Sequence, residues 1–154
     1  MRAFAVALVL ASIAVAAPSF SAGWSPARIA KVKELIAIQE GRAAALQPIV
    51  AGDITARDAL LTNAAALDQI ATEEAAQALE YRNMAATAPN RKTKAEFIGF
   101  AKKLETFANR SEESATTHRE LALPLEETIE NMQDDVALHL ERAAELKTAL
   151  ANNS

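Results

Sequence analysis

The chain has 154 residues, with 16 basic and 20 acidic side chains, a formal net charge of −4 and no cysteine. This acidic balance argues against nucleic acid and anionic membrane surfaces as partners, because both are bound through basic patches. The lack of cysteine excludes disulfides, thiolate metal sites and haem attachment through a C-x-x-C-H motif. The fold must therefore be held together by packing alone.

Residues 1–22 predict a secretory signal peptide. Arg2 supplies a positive charge, an apolar run extends from Ala3 to Ala17, and small residues then place the cleavage between Ser21 and Gly23. The run is too short to span a bilayer comfortably; the alternatives are a retained membrane anchor or an N-terminal core helix. We therefore expect a periplasmic or secreted protein in which residues 23–154 form one domain and do not span a membrane after cleavage.

Helix-breaking residues divide this domain into four predicted helices. Ser25-Pro26 is typical of a helix start, and a helix is expected to end before Pro48, because the residue preceding a proline is disfavoured in the α conformation. A Gly-Asp turn follows at 52–53, Pro89 interrupts the chain again, and Thr93 resembles the first residue of a capping box. The predicted helices span about 26–47, 55–86, 93–122 and 125–150.

The apolar pattern supports an all-α fold, and no β pattern is present. Alanine-rich stripes recur at three- and four-residue steps, and one seven-residue register continues from Phe97 to Leu150 across Pro124. Such a register is compatible with a coiled coil, and Pro124 either kinks one long helix or begins a fourth. We predict an antiparallel up-down-up-down four-helix bundle with Pro124 at a chain reversal.

Two histidines on the apolar stripe raise the alternative of a metal or haem site. His118 and His139 are too far apart along the chain to share one ion in either reading of Pro124, and Asp135 lies four residues before His139 without an evident third ligand. The layout resembles exported four-helix cytochromes in architecture only, since the haem-binding motif is missing. We expect both histidines to be structural, with His139, Asp135 and His118 as the candidate metal ligands of the alternative reading, and we expect no cofactor.

Glu74 lies on the inner side of the second predicted helix, where an unpaired carboxylate is costly to bury. In a four-helix bundle it would lie close enough to pair with His139, although a side chain that leans into solvent is the simpler reading.

Large apolar side chains are expected to gather at one end of the bundle. They either plug that end, where alanine cannot fill the space, or line a gap for an apolar ligand. The expected cluster comprises Trp24, Tyr81, Met84, Phe97, Phe100 and Phe107.

No arrangement of residues predicts catalysis. The sequence has no G-x-S-x-G motif and no glycine-rich phosphate loop, and its adjacent carboxylates would point in different directions on a helix. We therefore predict a small exported helical-bundle protein that binds a protein partner or an apolar small ligand, with oligomerisation left open. The alternative is a metal- or haem-binding periplasmic bundle.

Overall fold

The computed structural model describes residues 23–153 and shows two long helices, α1 (Pro26–Ala86) and α2 (Arg91–Asn153). No strand occurs in this part of the chain. The all-α prediction is therefore confirmed, whereas the prediction of a four-helix bundle is wrong. The predicted signal peptide lies outside the described residues.

Local sequence accounts for the helix ends. Ser25 caps α1, because its side-chain oxygen accepts a hydrogen bond from the backbone N–H of Arg28, and Pro26 occupies the first turn, where a missing N–H costs nothing. The chain reverses around Pro89. Asn90 then caps α2 by accepting from the N–H of Thr93 at 2.9 Å, so α2 begins at Arg91, two residues before the expected start.

The other two prolines of residues 23–153 lie inside helices, which is why the predicted breaks at 47–55 and 122–125 do not exist. Pro48 belongs to α1 and Pro124 to α2, and both are exposed. An interior proline costs about 3 kcal/mol, but breaking the helix there would also interrupt the buried row that continues on both sides of it. Pro124 is therefore not at a chain reversal, and Gly52 and Asp53 are helical rather than a turn.

The buried row repeats every seven residues on both helices, which is the period of a coiled coil. Its members form the interface of an antiparallel hairpin. On α1 they are Ile36, Ala43, Val50, Ala64, Ala71, Ala78 and Ala85, and on α2 they are Ala101, Ala108, Ala115, Ala122, Ile129 and Ala143. Val32, four residues before Ile36, is buried beside this row.

The two halves of the hairpin fill these buried positions differently. We call residues 61–122 the turn half, and residues 23–60 with 123–153 the open half. All eight buried positions of the turn half are alanine, whereas four of the six in the open half are valine or isoleucine.

The open end is tied by a backbone contact. The N–H of Trp24 donates to the carbonyl oxygen of Asn153 at 2.8 Å, which satisfies one of the carbonyls left free at the end of α2. Gly23 lies so close to Asn153 that a β-carbon on it would meet that oxygen at 2.9 Å. Glycine at position 23 therefore permits this contact.

Candidate functional site

Cross-helix ion pairs define one flank of the hairpin. Glu40 pairs with Lys147, Asp68 with Arg119, and Arg82 with Glu105. Each of these residues lies four residues after a position of the seven-residue row on its helix; we call these the heptad-row positions. Successive pairs are separated by equal steps of 28 and 14 residues on both helices, so all three occupy one heptad position. We call this side the ion-pair flank.

The Arg82–Glu105 pair shows a clear change in the pKa values of its two members. Arg82 Nε donates to Glu105 Oε1 at 2.5 Å. This hydrogen bond lowers the pKa of the Glu105 carboxyl, although desolvation opposes the shift, and the same contact raises the pKa of Arg82. Both side chains are exposed, so the pair is typical of a solvated surface rather than of a catalytic site.

The opposite flank carries apolar side chains. Its residues are those that immediately precede the positions of the seven-residue row on each helix. Since the ion pairs occupy one side of the hairpin, these residues of α1 and α2 both lie on the other side. Residues 23–153 have fourteen exposed large apolar side chains, and half of them lie at this one heptad position. We call this side the apolar flank; the seven are Leu35, Ile49, Ile70, Met84, Phe100, Phe107 and Leu121.

Charge is unevenly distributed along the apolar flank. Its charged positions are Arg28, Arg42, Asp135 and Arg142, all in the open half. In the turn half its nine positions are all uncharged. They are Asn63, Ile70, Gln77, Met84, Thr93, Phe100, Phe107, Ser114 and Leu121.

Part of the expected aromatic cluster lies beside the turn. The ring of Tyr81 is 5.4 Å from that of Phe100 and 6.1 Å from that of Phe97, between ring centres. Met84 and Phe107 lie on the apolar flank of the same half. Trp24 is at the open end, where Arg28 stacks over its ring, so its expected place in the cluster is wrong.

The two histidines lie apart, and each ring forms its own hydrogen bond. His118 Nδ1 donates to the backbone oxygen of Ser114, and His139 Nδ1 donates to Gln39 Oε1 at 2.6 Å. The two lie on one helix about 31 Å apart. Asp135 is exposed. Among residues 23–153, no three His, Cys, Asp or Glu side chains come close enough together to hold a metal ion.

Glu74 and His139 do not form the pair considered from the sequence. Glu74 instead accepts a hydrogen bond from Ser111 at 3.4 Å. The two-helix topology places Glu74 in the turn half and His139 in the open half, which a four-helix arrangement would have brought together. Gln39, the true partner of His139, lies 100 positions away in the sequence.

Among residues 23–153, no polar or charged side chain is buried. Burial is one of the usual ways in which a catalytic acid or base acquires a shifted pKa. One groove on the surface of the hairpin, of about 300 Å³, is lined by Leu61, Ala122 and Leu123 together with charged neighbours.

Sequence reasoning missed the apolar flank as a surface. Four of its members, Leu35, Ile49, Ile70 and Leu121, were not among the candidate residues. The available signal was positional: each of the four directly precedes a buried residue of the seven-residue row. Reading that row as one continuous repeat would have assigned them to one side.

No protein-family model, no curated protein and no solved structure matches this chain. Neither helix of the described hairpin contains a segment long and apolar enough to cross a membrane.

Proposed function

We propose that this chain is an exported, non-catalytic interaction protein that binds another protein chain through its apolar flank. The observation that carries the proposal is the concentration of large exposed apolar side chains on that flank. Exposed apolar patches of this kind are typical of protein interfaces. Aromatic and methionine side chains are enriched in such interfaces, and the flank carries two phenylalanines and a methionine.

The shape of the hairpin supports a protein partner over a small ligand. A drug-sized ligand is usually enclosed by its pocket. The apolar flank instead extends along two helices of about 90 Å each. A long surface of this kind suits a partner helix or another extended protein surface.

Export rests on the sequence of residues 1–22. A positive n-region, an apolar run of fifteen residues and small residues at the expected cleavage site together favour secretion or release into a periplasm. The test is the mass and location of the protein in fractionated cells. A processed chain outside the cytoplasm supports export, and an unprocessed cytoplasmic chain contradicts it.

Site-specific photo-crosslinking in the native cells tests the interaction. A benzophenone amino acid replaces Phe107 on the apolar flank and, as the matched control, Leu140 on the ion-pair flank; the two side chains are 47% and 45% exposed. We expect a discrete protein adduct from position 107 and none from position 140. The absence of any protein adduct at 107, or equal adducts at both positions, would contradict the proposal.

A further inference from the structure

We propose that the partner on the apolar flank is a second copy of this chain, and that two hairpins pack side by side with their turn ends together into a four-helix assembly. This inference rests on the function proposed above and names its partner. The contact centres on a turn-half patch of five uncharged side chains, each 44–54% exposed. They are Ile70, Met84, Phe100, Phe107 and Leu121.

The alanine row explains why this patch remains uncovered within one hairpin. Alanine in every buried position of the turn half lets the helices approach closely but buries little apolar area. The large side chains instead stand beside the row, where the second helix of the same hairpin covers only part of them. The other flank of the same half differs, because two of the three cross-helix ion pairs lie there.

The two helices contribute different chemistry to the patch, and this difference favours self-association. α1 provides the aliphatic side chains Ile70 and Met84, and α2 provides the rings of Phe100 and Phe107. A two-fold axis along the hairpin places α1 of one copy antiparallel to α2 of the other. Met84 then lies at the level of Phe100 in the second copy, a sulfur–aromatic contact that is favourable.

The distribution of charge along the apolar flank favours a dimer in which the two hairpins have their turn ends together. In a head-to-tail dimer the uncharged patch would face the open-half segment that carries Arg42, Asp135 and Arg142. With the turn ends together, the uncharged patch of one copy faces the uncharged patch of the other, and the charged flank positions of both copies stay in the open half.

The available area is sufficient for a stable dimer. The turn half is about 39 Å long and the hairpin about 20 Å wide, which gives a footprint of about 800 Å² for each copy. A standard protein interface buries about this much surface on each partner.

Sedimentation velocity and light scattering of the purified protein, as the cell produces it, test the assembly without any variant. We expect a mass of two chains at micromolar concentration, falling toward one chain on dilution. A single-chain mass at all concentrations up to about 100 µM would overturn the inference.

A pair of double variants then locates the interface. Ile70→Lys with Phe107→Lys adds two positive charges to the patch, and Leu61→Lys with Leu140→Lys adds two to the ion-pair flank, at side chains that are 42% and 45% exposed. We expect the first variant to be monomeric and the second dimeric, both with the helix content of the wild type by circular dichroism. Equal masses for the two variants would contradict the assignment; if the first variant loses helix, glutamine at the same two positions repeats the test.

The orientation is measured by a spin label. The chain has no cysteine, so Asn83→Cys gives a single labelled site near the turn of each copy. Turn ends together predict a distance between labels of about 20–30 Å, whereas a head-to-tail dimer separates them by about 80 Å. The longer distance would overturn the proposed arrangement.

The crosslinking experiment separates failure of this inference from failure of the proposed function. An adduct at position 107 that contains two copies of this chain supports both. An adduct with a different protein, together with a monomeric purified chain, overturns the inference and leaves the proposed function standing. The absence of any protein adduct overturns both.

Discussion

The open half and the turn half follow the same seven-residue repeat, but they place their large apolar side chains differently. In the open half, Val32, Ile36, Val50 and Ile129 are buried between the helices, and the adjacent apolar flank is interrupted by charge. In the turn half, alanine fills the buried row and the large side chains stand on the flank. The open half therefore buries larger side chains in its row, whereas the turn half leaves five large apolar side chains exposed on the flank where we propose the binding surface.

The largest expected effect tests packing in the open half. Ile129 is 4% exposed, so Ile129→Ala removes buried apolar volume and leaves a cavity. We expect the free energy of unfolding to fall by about 2–5 kcal/mol, measured by urea unfolding at a fixed protein concentration. Ile129→Val is the milder control, with an expected cost of about 0.5–1.5 kcal/mol.

The reciprocal variant tests the turn half. Ala115 is two heptads before Ile129 in the same row and is fully buried, so Ala115→Ile forces a larger side chain into a closely packed position. We expect a loss of about 1–3 kcal/mol. If Ala115→Ile instead stabilised the hairpin, the turn half would have room for large buried residues and the contrast between the halves would fail.

Removing the interior proline of α2 should strengthen the open half. Pro124 lacks the N–H that would donate to the backbone oxygen of Glu120, and Pro124→Ala restores that bond at an exposed position. We expect a gain of up to about 3 kcal/mol in the free energy of unfolding. Pro26→Ala is the matched control: proline suits the first turn of α1, so no comparable gain is expected there. Equal effects of the two substitutions would contradict this account of Pro124.

The internal prolines also show how far the sequence alone predicts the fold. Helical composition and the caps predicted the all-α class, the start of α1 at Pro26 and the break around Pro89. Local rules for proline, however, take no account of the partner helix. At Pro48 and Pro124 the buried row continues on both sides of the proline, and the packing of that row offsets the local cost.

The misplaced site residues follow from the same error. Counting four helices brings Trp24 to the end that holds Tyr81, whereas two helices separate them by most of the length of α1. The four-helix topology also predicted a Glu74–His139 pair and did not predict the contact between Gln39 and His139. Long-range pairing depends on the number of chain reversals, so one misread turn changes every predicted contact across the helices.

The smallest expected effect concerns the ionic side of the turn half. Because Arg82 lowers the pKa of Glu105, the folded protein holds this carboxylate ionised to a lower pH than the unfolded chain does. Its contribution to stability is therefore fully present above the pKa of an unfolded glutamate, about 4.3, and is lost as the pH falls through the lower folded pKa.

We expect Arg82→Gln to raise the Glu105 pKa toward its ordinary value in a carboxyl NMR titration. Lys103→Gln, an equal loss of charge at an exposed site on α2, should change that pKa much less. The stability difference between wild type and Arg82→Gln should be greatest near neutral pH, shrink in acid and weaken at high salt, because exposed ion pairs contribute little and are screened. An unchanged Glu105 pKa in Arg82→Gln would mean that the pair does not persist in solution, and the ion-pair flank of the turn half would then differ from its apolar flank only by lacking large side chains.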